Sequence, residues 1–321
     1  MTTTPLVSIV CTSYNHGDYL ADAIDSFLMQ ETTFDVEILI YDDASTDHSP
    51  HVIKQYENKY PSLINPIYQT HNQYSKGVRV ELFNHNRAKG KYIAVCEGDD
   101  YWTDPYKLQK QVDYMEAHPS CSMTVHAADR VLSDKKKVLS TVRPAHGNAV
   151  FSMERVIEGD GDLIATNSMV YSKEKIAVLA PFYLNAVVGD YPLVILAALH
   201  GTVDYLDDNM SAYRVGVKGS WTERELATST KRINHYHHME EMFDEINEYT
   251  HFMYNDALIK AKNRYQFLRL LDQGKFKEIK QGDYRKTYLE LSMKKRIVLE
   301  MKRYFPTITN TLRKVKWKMI R

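Results

Sequence analysis

Three carboxylates stand within four residues at Glu97-Gly98-Asp99-Asp100, and Tyr101-Trp102 follows at once. Carboxylates this close repel, so keeping them together costs stability unless a cation sits among them. Hard divalent cations such as Mg²⁺ take oxygen ligands, often one or two carboxylates together with substrate phosphates. Gly98 lets the backbone turn sharply and approach a ligand closely. The plain alternative is a solvated acidic turn. Two further turn-forming clusters carry polar and aromatic groups: Ser13-Tyr14-Asn15-His16-Gly17, and Asp42-Asp43-Ala44-Ser45-Thr46-Asp47.

Each cluster needs an element to place it. Tyr92 to Cys96 is a short apolar run that predicts a buried strand ending at the acidic turn. Asp104-Pro105 predicts a helix start, with Pro in its favoured first position, and the helix runs to about His118. Leu6 to Thr12 predicts a first strand. Tyr19, Leu20, Ala23, Ile24, Phe27 and Leu28 then recur at helical spacing. Val36 to Tyr41 predicts a second strand, Ser49-Pro50 a second helix, and Ile64 to Gln69 a third strand. A polar loop at 70–77 precedes a helix to about Lys89. Strands alternating with helices predict an α/β domain with a mostly parallel sheet and helices on both faces. Such sheets bind ligands beyond the carboxyl ends of their strands.

Downstream, the pattern predicts a strand at 121–132 with a hairpin partner at 138–142. A short helix at 151–158, a strand at 165–171 and a short helix from Lys173 follow. An apolar helix at 187–200 leads to two short paired strands, 202–206 and 210–215. From Trp221 the pattern is helical, which places a boundary near residue 220, between a domain of residues 1–220 and a helical extension of residues 221–321.

The 321 residues are 44% hydrophobic and 26% charged, a globular balance that excludes whole-chain disorder. Cys11, Cys96 and Cys121 are an odd set, which suits a reducing compartment and argues against a disulfide framework. No Cys/His spacing resembles a zinc site, and adjacent positions in His235-Tyr236-His237-His238 face different ways on a helix. No apolar run approaches the ~18 residues of a membrane span. The first residues lack a basic region followed by an apolar core, so no signal peptide is expected. Net charge is zero, but ten of the 41 basic residues lie at 294–321 with one acid, Glu300. The body is therefore acidic and the tail basic. Ile297, Met301, Tyr304, Phe305, Leu312, Val315, Trp317 and Ile320 interleave with the tail's charges. Such a tail suits an anionic membrane surface, or packing on the rest of the chain or on a second copy in a homo-oligomer.

Five stretches together, Val7 to His16, Asp42 to Asp47, Arg87 to Ala94, Glu97 to Trp102 and Gly189-Asp190, resemble the family 2 glycosyltransferases, which have a GT-A nucleotide-sugar fold. The resemblance covers about residues 5 to 217. It implies that Thr12 and Tyr14 hold the nucleotide base, Asp43 its edge and Asp99 the ribose. Stacking on an aromatic such as Tyr14 contributes ~1–3 kcal/mol by analogy with single-stranded nucleic acids. Asp100 is then the ligand of a Mn²⁺ or Mg²⁺ that holds the diphosphate. Glu97 stands where many relatives have Asp, and Asp42 and Asp47 read as turn and cap residues. Arg79 lies where relatives carry a cation for the base or phosphates, and Arg214, in a Tyr213-Arg214 pair, near the diphosphate. Asp190 looks like the base that deprotonates the acceptor hydroxyl; the plain alternative is a helix cap.

The expectation is a cytoplasmic, metal-dependent, inverting transferase, peripheral at the inner face of a membrane if the tail binds lipid. It would move a hexosyl or N-acetylhexosaminyl unit from a nucleotide-sugar donor, of UDP type, to a glycan or lipid-linked acceptor. One alternative is a catalytically inactive nucleotide-sugar-binding scaffold. Another is a nucleotidyltransferase, which would need a Gly-rich loop where this chain has only Gly17.

Overall fold

The first four strands lie in the order β3-β2-β1-β4, so the chain works outward from β1 (Val7–Ser13) to β2 (Val36–Asp42) and β3 (Ile64–Tyr68), then returns to β4 (Tyr92–Val95) on the other side. The computed structural model that shows this describes residues 4–134, 137–282 and 284–304. All four strands are parallel, with Val7 opposite both Val36 and Tyr92. The reversal of strand order between β1 and β4 opens a crevice at their carboxyl ends. Three helices make the crossovers: α1 (Gly17–Leu28), α2 (Ser49–Lys59) and α3 (Glu81–Arg87).

The core explains the order. Val7, Ile9 and Cys11 of β1 alternate onto one face, and Leu20, Ile24 and Phe27 of α1 cover them. Gly90, just before β4, comes so close to β1 that a Cβ there would stand 2.5 Å from the Ser8 amide nitrogen. Only glycine allows β4 to enter beside β1 in this way.

Beyond β4 the sheet becomes mixed. The following elements are β5 (Tyr101–Trp102), α4 (Lys107–Ala117), β6 (Cys121–Leu132), β7 (Val138–Val142), β8 (Ala149–Phe151), α5 (Met153–Gly159) and β9 (Val170–Ser172). Then come α6 (Pro181–Asn185), α7 (Asp190–His200) and β10 (Thr202–Val215). The sheet continues β4-β9-β6-β10-β5, and β9 runs antiparallel to both of its neighbours. The hairpin partner of β6 lies at 138–142 as expected.

Three expectations are corrected. The two short paired strands after α7 are one strand, β10, parallel to β6. Register shifts around Leu206, Asn209 and Ser211 absorb the polar Asp207-Asp208 as a bulge, not as a hairpin turn. The strand expected at 165–171 is a 3₁₀ turn, Thr166–Ser168, followed by β9. The helix expected from Lys173 is a turn, and α6 forms further on, started by Pro181.

Lys107, at the start of α4, is fully buried with Nζ 4.1 Å from the centre of the Trp102 ring. Burial lowers its pKa to about 7, with Cys96 pulling the other way. An unfolded lysine stays near 10.4. Between pH 7 and 10 the unfolded chain therefore binds more protons, and this group makes stability rise with pH. Lys107→Met keeps the stem and removes the charge. The variant is expected to melt higher than the parent at pH 7, with the gap closing toward pH 10. A lower melting temperature at pH 7 would mean that the Trp102 ring compensates the charge.

By compactness the chain divides into Met1–Glu223 and Arg224–Arg321. The helix α8 (Trp221–Glu225) spans the division. The second unit holds α9 (Ser229–Tyr249), α10 (Asn255–Asp272), α11 (Tyr284–Glu290) and α12 (Met293–Tyr304). Ion pairs join α9 to α10: Arg232 to Asp272 at 2.6 and 2.7 Å, Arg269 to Glu240 at 2.8 and 3.1 Å, and Lys262 to Asp244 at 2.6 Å. Met239, Phe243 and Ile246 of α9 are buried, as are Leu258 and Ala261 of α10. Among the described residues no helix is long and apolar enough to cross a membrane. The part of the basic tail at 305–321 lies outside the described residues.

Candidate active site

The acidic turn lies against the end of β1. The Gly98 amide donates to the Thr12 carbonyl at 3.0 Å, and the Asp43 amide donates to the Ser13 carbonyl at 2.9 Å. A Cβ on Gly98 would stand 2.9 Å from Leu20 Cδ1 and 3.0 Å from His16 Nδ1, so the missing side chain is what lets the two turns touch. Thr12, Tyr14, Asp43 and Asp99 are thereby gathered at one edge of the sheet.

Local hydrogen bonds shape these turns. Asp42 accepts from the amide and hydroxyl of Ser45, and Asn15 Oδ1 accepts from the Thr46 amide. Asp47 accepts from the amides of Ser49 and Gly17, closing the starts of α2 and α1. Asp43 is buried and accepts from the amides of Gln73 (2.7 Å) and Tyr74 (3.0 Å). Its carboxylate holds the loop after β3 beside the site. The carboxylate expected at the base edge thus already accepts two backbone amides.

Within the acidic turn the carboxylates divide. Asp100 is 1% exposed. Its Oδ1 accepts from the Arg214 amide at 2.7 Å and its Oδ2 from Asn167 Nδ2 at 3.2 Å. Burial, then Asp99 and Glu97, raise its pKa, while the Arg214 amide and guanidinium pull it back. Asp99 has a side chain 14% exposed, with Oδ2 3.8 Å from His16 Nε2. Glu97 is open to solvent yet closely surrounded; dehydration by that protein, then Asp99, Asp190 and Glu81, raises its pKa. Both oxygens of Asp100, the expected metal ligand, accept from protein donors, and Asp99 is the more exposed of the pair. Among the described residues no three His, Cys, Asp or Glu side chains form a cage that could hold an ion alone. That donor set fits a divalent ion held by one or two carboxylates and completed by substrate phosphates and water.

The two arginines are both held by protein groups. Arg214 is locked behind the turn: Nη1 donates to the Asp99 carbonyl at 2.7 Å, Nη2 pairs with Asp22, and the guanidinium lies over Tyr19 and Tyr101. Its side chain is 1% exposed and braces the acidic turn. Arg79 Nη1 donates to backbone carbonyls in the segment before Asp190.

Asp190 is the first residue of α7. Oδ1 accepts from the Tyr191 amide at 2.7 Å and Oδ2 from the Thr166 hydroxyl at 3.1 Å. Beside it opens a small pocket lined by Val156, Leu163, Ile164, Met169 and Val194. Two further residues, Thr166 and Asn167, belong to the site and escaped the sequence reading. Thr166 orients Asp190. Asn167, fully buried, ties Asp100 to the Ala212 carbonyl and the Ser211 hydroxyl. The phenol of Tyr213 has its pKa raised by burial and then by Asp100, Glu97, Asp99 and Asp190, so it stays protonated within the acidic cluster. The signal for Thr166 and Asn167 was Thr-Asn-Ser, three polar residues inside an otherwise apolar run.

Residues 8–171, just over half of the chain, match Glycosyl transferase family 2. An uncharacterised protein of Mycobacterium tuberculosis is 37% identical over 216 residues, which are 67% of this chain and 60% of that relative. The UDP-Glc:α-D-GlcNAc-diphosphoundecaprenol β-1,3-glucosyltransferase WfaP of Escherichia coli is 35% identical over 112 residues, 35% of this chain and 41% of the relative. The chain thus spans about 60% of the length of the mycobacterial protein. Among solved structures, S. aureus TarS 1–349 in complex with UDP-GlcNAc matches with a TM-score of 0.58 at 15% identity, over 92% of this chain and 79% of that one. The mannosyltransferase of Pyrobaculum calidifontis in complex with GDP-Man and Mn²⁺ matches with a TM-score of 0.51 at 15% identity, over 95% and 89%. At such identities the structural likeness carries the fold alone. From the family match and this fold, the chain belongs to the family 2 glycosyltransferases and carries their GT-A fold.

Proposed function

We propose that this chain is a metal-dependent inverting glycosyltransferase. It moves a hexosyl or N-acetylhexosaminyl unit from a UDP-sugar to a glycan or lipid-linked acceptor in surface polysaccharide synthesis. The observation that supports the reading is the acidic turn docked on the end of β1, where the Gly98 amide donates to the Thr12 carbonyl, with Asp99 and Asp190 both raising the pKa of Glu97. Thr12 and Tyr14 take the base at the end of β1, and Asp43 supports it through the loop it holds. Asp190 accepts the proton of the acceptor hydroxyl as that oxygen attacks the anomeric carbon. The bond from that carbon to the diphosphate breaks, its electron pair stays on the leaving phosphate oxygen, and configuration inverts. Thr166 and the Tyr191 amide fix the carboxylate during the transfer. Asp99 would hold a Mg²⁺ or Mn²⁺, which when bound neutralises charge on the departing diphosphate. The lipid-linked acceptor draws on the name of the E. coli relative. A cytoplasmic place at an anionic membrane surface belongs to the same proposal, supported by α12, where Met293, Ile297 and Met301 are exposed beside Lys294.

A thermal-shift screen of nucleotide sugars with Mn²⁺ or Mg²⁺ tests the donor. A ligand at 100 times its dissociation constant stabilises the folded state by about 2.7 kcal/mol. UDP-sugars with metal are expected to raise the melting temperature by several degrees, and UDP-sugars without metal by less. A response to free nucleoside triphosphates alone would speak for a nucleotidyltransferase.

A further inference from the structure

The segment that delivers Asp190 is fastened by a side chain from just before α3, that of Arg79. Arg79 Nη1 donates to the carbonyls of Tyr183 (2.8 Å), Ala186 (2.7 Å) and Val188 (3.1 Å). Two of these carbonyls lie at the end of α6, a five-residue helix that cannot satisfy its own last acceptors. A cation there also complements the helix C-terminus. The guanidinium lies 4.4 Å from the centre of the Tyr183 ring, and Nη2 pairs with Glu81 at 2.5 Å. Its side chain is only 15% exposed. A Cβ on Gly189 would stand 3.0 Å from Glu81 Oε1 and 3.7 Å from Arg79 Nη2. The ion pair is therefore packed against the peptide that immediately precedes Asp190.

Arg79 is itself anchored. Its segment is tied upstream to the Asp43 carboxylate through the amides of Gln73 and Tyr74. It enters α3, whose Asn84 donates to the carbonyls of Cys11 and Leu39 in the central sheet. Arginine suits this place because its planar fork makes several hydrogen bonds in fixed directions while one face stacks on an aromatic ring. A lysine supplies charge without the plane.

We propose that Arg79 is a positioning residue for Asp190, setting where the carboxylate stands without touching the donor. The proposal rests on the assignment of Asp190 as the base. Displacements of about 1 Å at a reacting group can cost ~100-fold in rate. Arg79→Met is therefore expected to lower kcat by about 10- to 100-fold. Donor affinity, read from nucleotide-sugar titration, stays within about twofold of the parent.

The decisive experiment compares the parent, Arg79→Met, Arg79→Lys, Asp190→Asn and the Arg79→Met/Asp190→Asn double variant. Melting temperatures are recorded for all five. Arg79→Lys should recover part of the lost kcat, and it carries the test if the methionine variant does not fold. With Asp190 already disabled, Arg79→Met should add less than about a twofold loss, because two residues acting as one unit are not additive. A full additive loss in the double variant would overturn the positioning role. So would a raised donor dissociation constant with unchanged kcat, which marks direct donor contact. Unchanged turnover in Asp190→Asn alone would overturn the base assignment first, and this proposal with it.

Discussion

Asp190→Asn is expected to turn over ~10²–10⁴-fold more slowly than the parent, the usual contribution of a general base. The change removes basicity and little else. An asparagine oxygen still accepts from the Tyr191 amide, and its NH₂ can face the Thr166 hydroxyl, so the two bonds that orient the group survive in kind. Asp190 also opens α7. Gly189 is the N-cap, so Asp190 adds only its charge to the first turn, worth about 0.3–1 kcal/mol, and the melting temperature should move little. Donor binding should hold, because the residue acts on the acceptor. A pure helix-start role predicts near-normal turnover in this variant, and that result would send the search for the base to Glu97 and to the acidic loop at 160–162.

The nucleotide half of this fold was legible because its signals are local. β1, β2, β3 and β4 are short apolar runs, each followed by a turn cluster and then a helix start with Pro or amphipathic spacing. The acceptor half was harder. Asp207-Asp208-Asn209 reads as a hairpin turn, and only pairing with β6 reveals a bulge in one long strand. Thr166-Asn167-Ser168 lies in an apolar run that looks like a strand, yet its buried amide is a junction between Asp100 and β10.

Site residues show the same limit. Their chemical types were readable, but the directions of their side chains were not. In Glu97-Gly98-Asp99-Asp100, which carboxylate turns inward depends on the backbone of the turn and on where the Arg214 amide arrives, more than a hundred residues later. The two arginines were marked as site residues by their neighbourhood in sequence. Folding turned both onto backbone carbonyls, where they brace the turn and the Asp190 segment. A buried arginine engaged with carbonyls cannot be told from an exposed one by spacing alone.

Asp99→Asn and Asp100→Asn are expected to fail in different ways, and the contrast tests the division of the acidic turn. Asp99 is the partly exposed carboxylate, 3.8 Å from His16 Nε2. Its replacement by Asn should leave the melting temperature near that of the parent. It should abolish most of the extra stabilisation that Mn²⁺ gives to a nucleotide-sugar complex, because a neutral amide is a much weaker ligand for a hard divalent ion. Asp100 is buried and accepts from the Arg214 amide and from Asn167. An asparagine there keeps one acceptor but points an NH₂ at the Asn167 NH₂ or at the Arg214 amide. One buried donor then loses its partner, which costs about 1–3 kcal/mol. Asp100→Asn should therefore melt several degrees lower without ligand, while any folded fraction still responds to Mn²⁺ with donor. Calorimetric melting of both variants, with and without metal and UDP-sugar, reads stability and metal binding separately. If Asp100→Asn keeps the parent's melting temperature and loses the Mn²⁺ response, while Asp99→Asn retains that response, the ion belongs to Asp100 and the inward carboxylate must turn out to meet it.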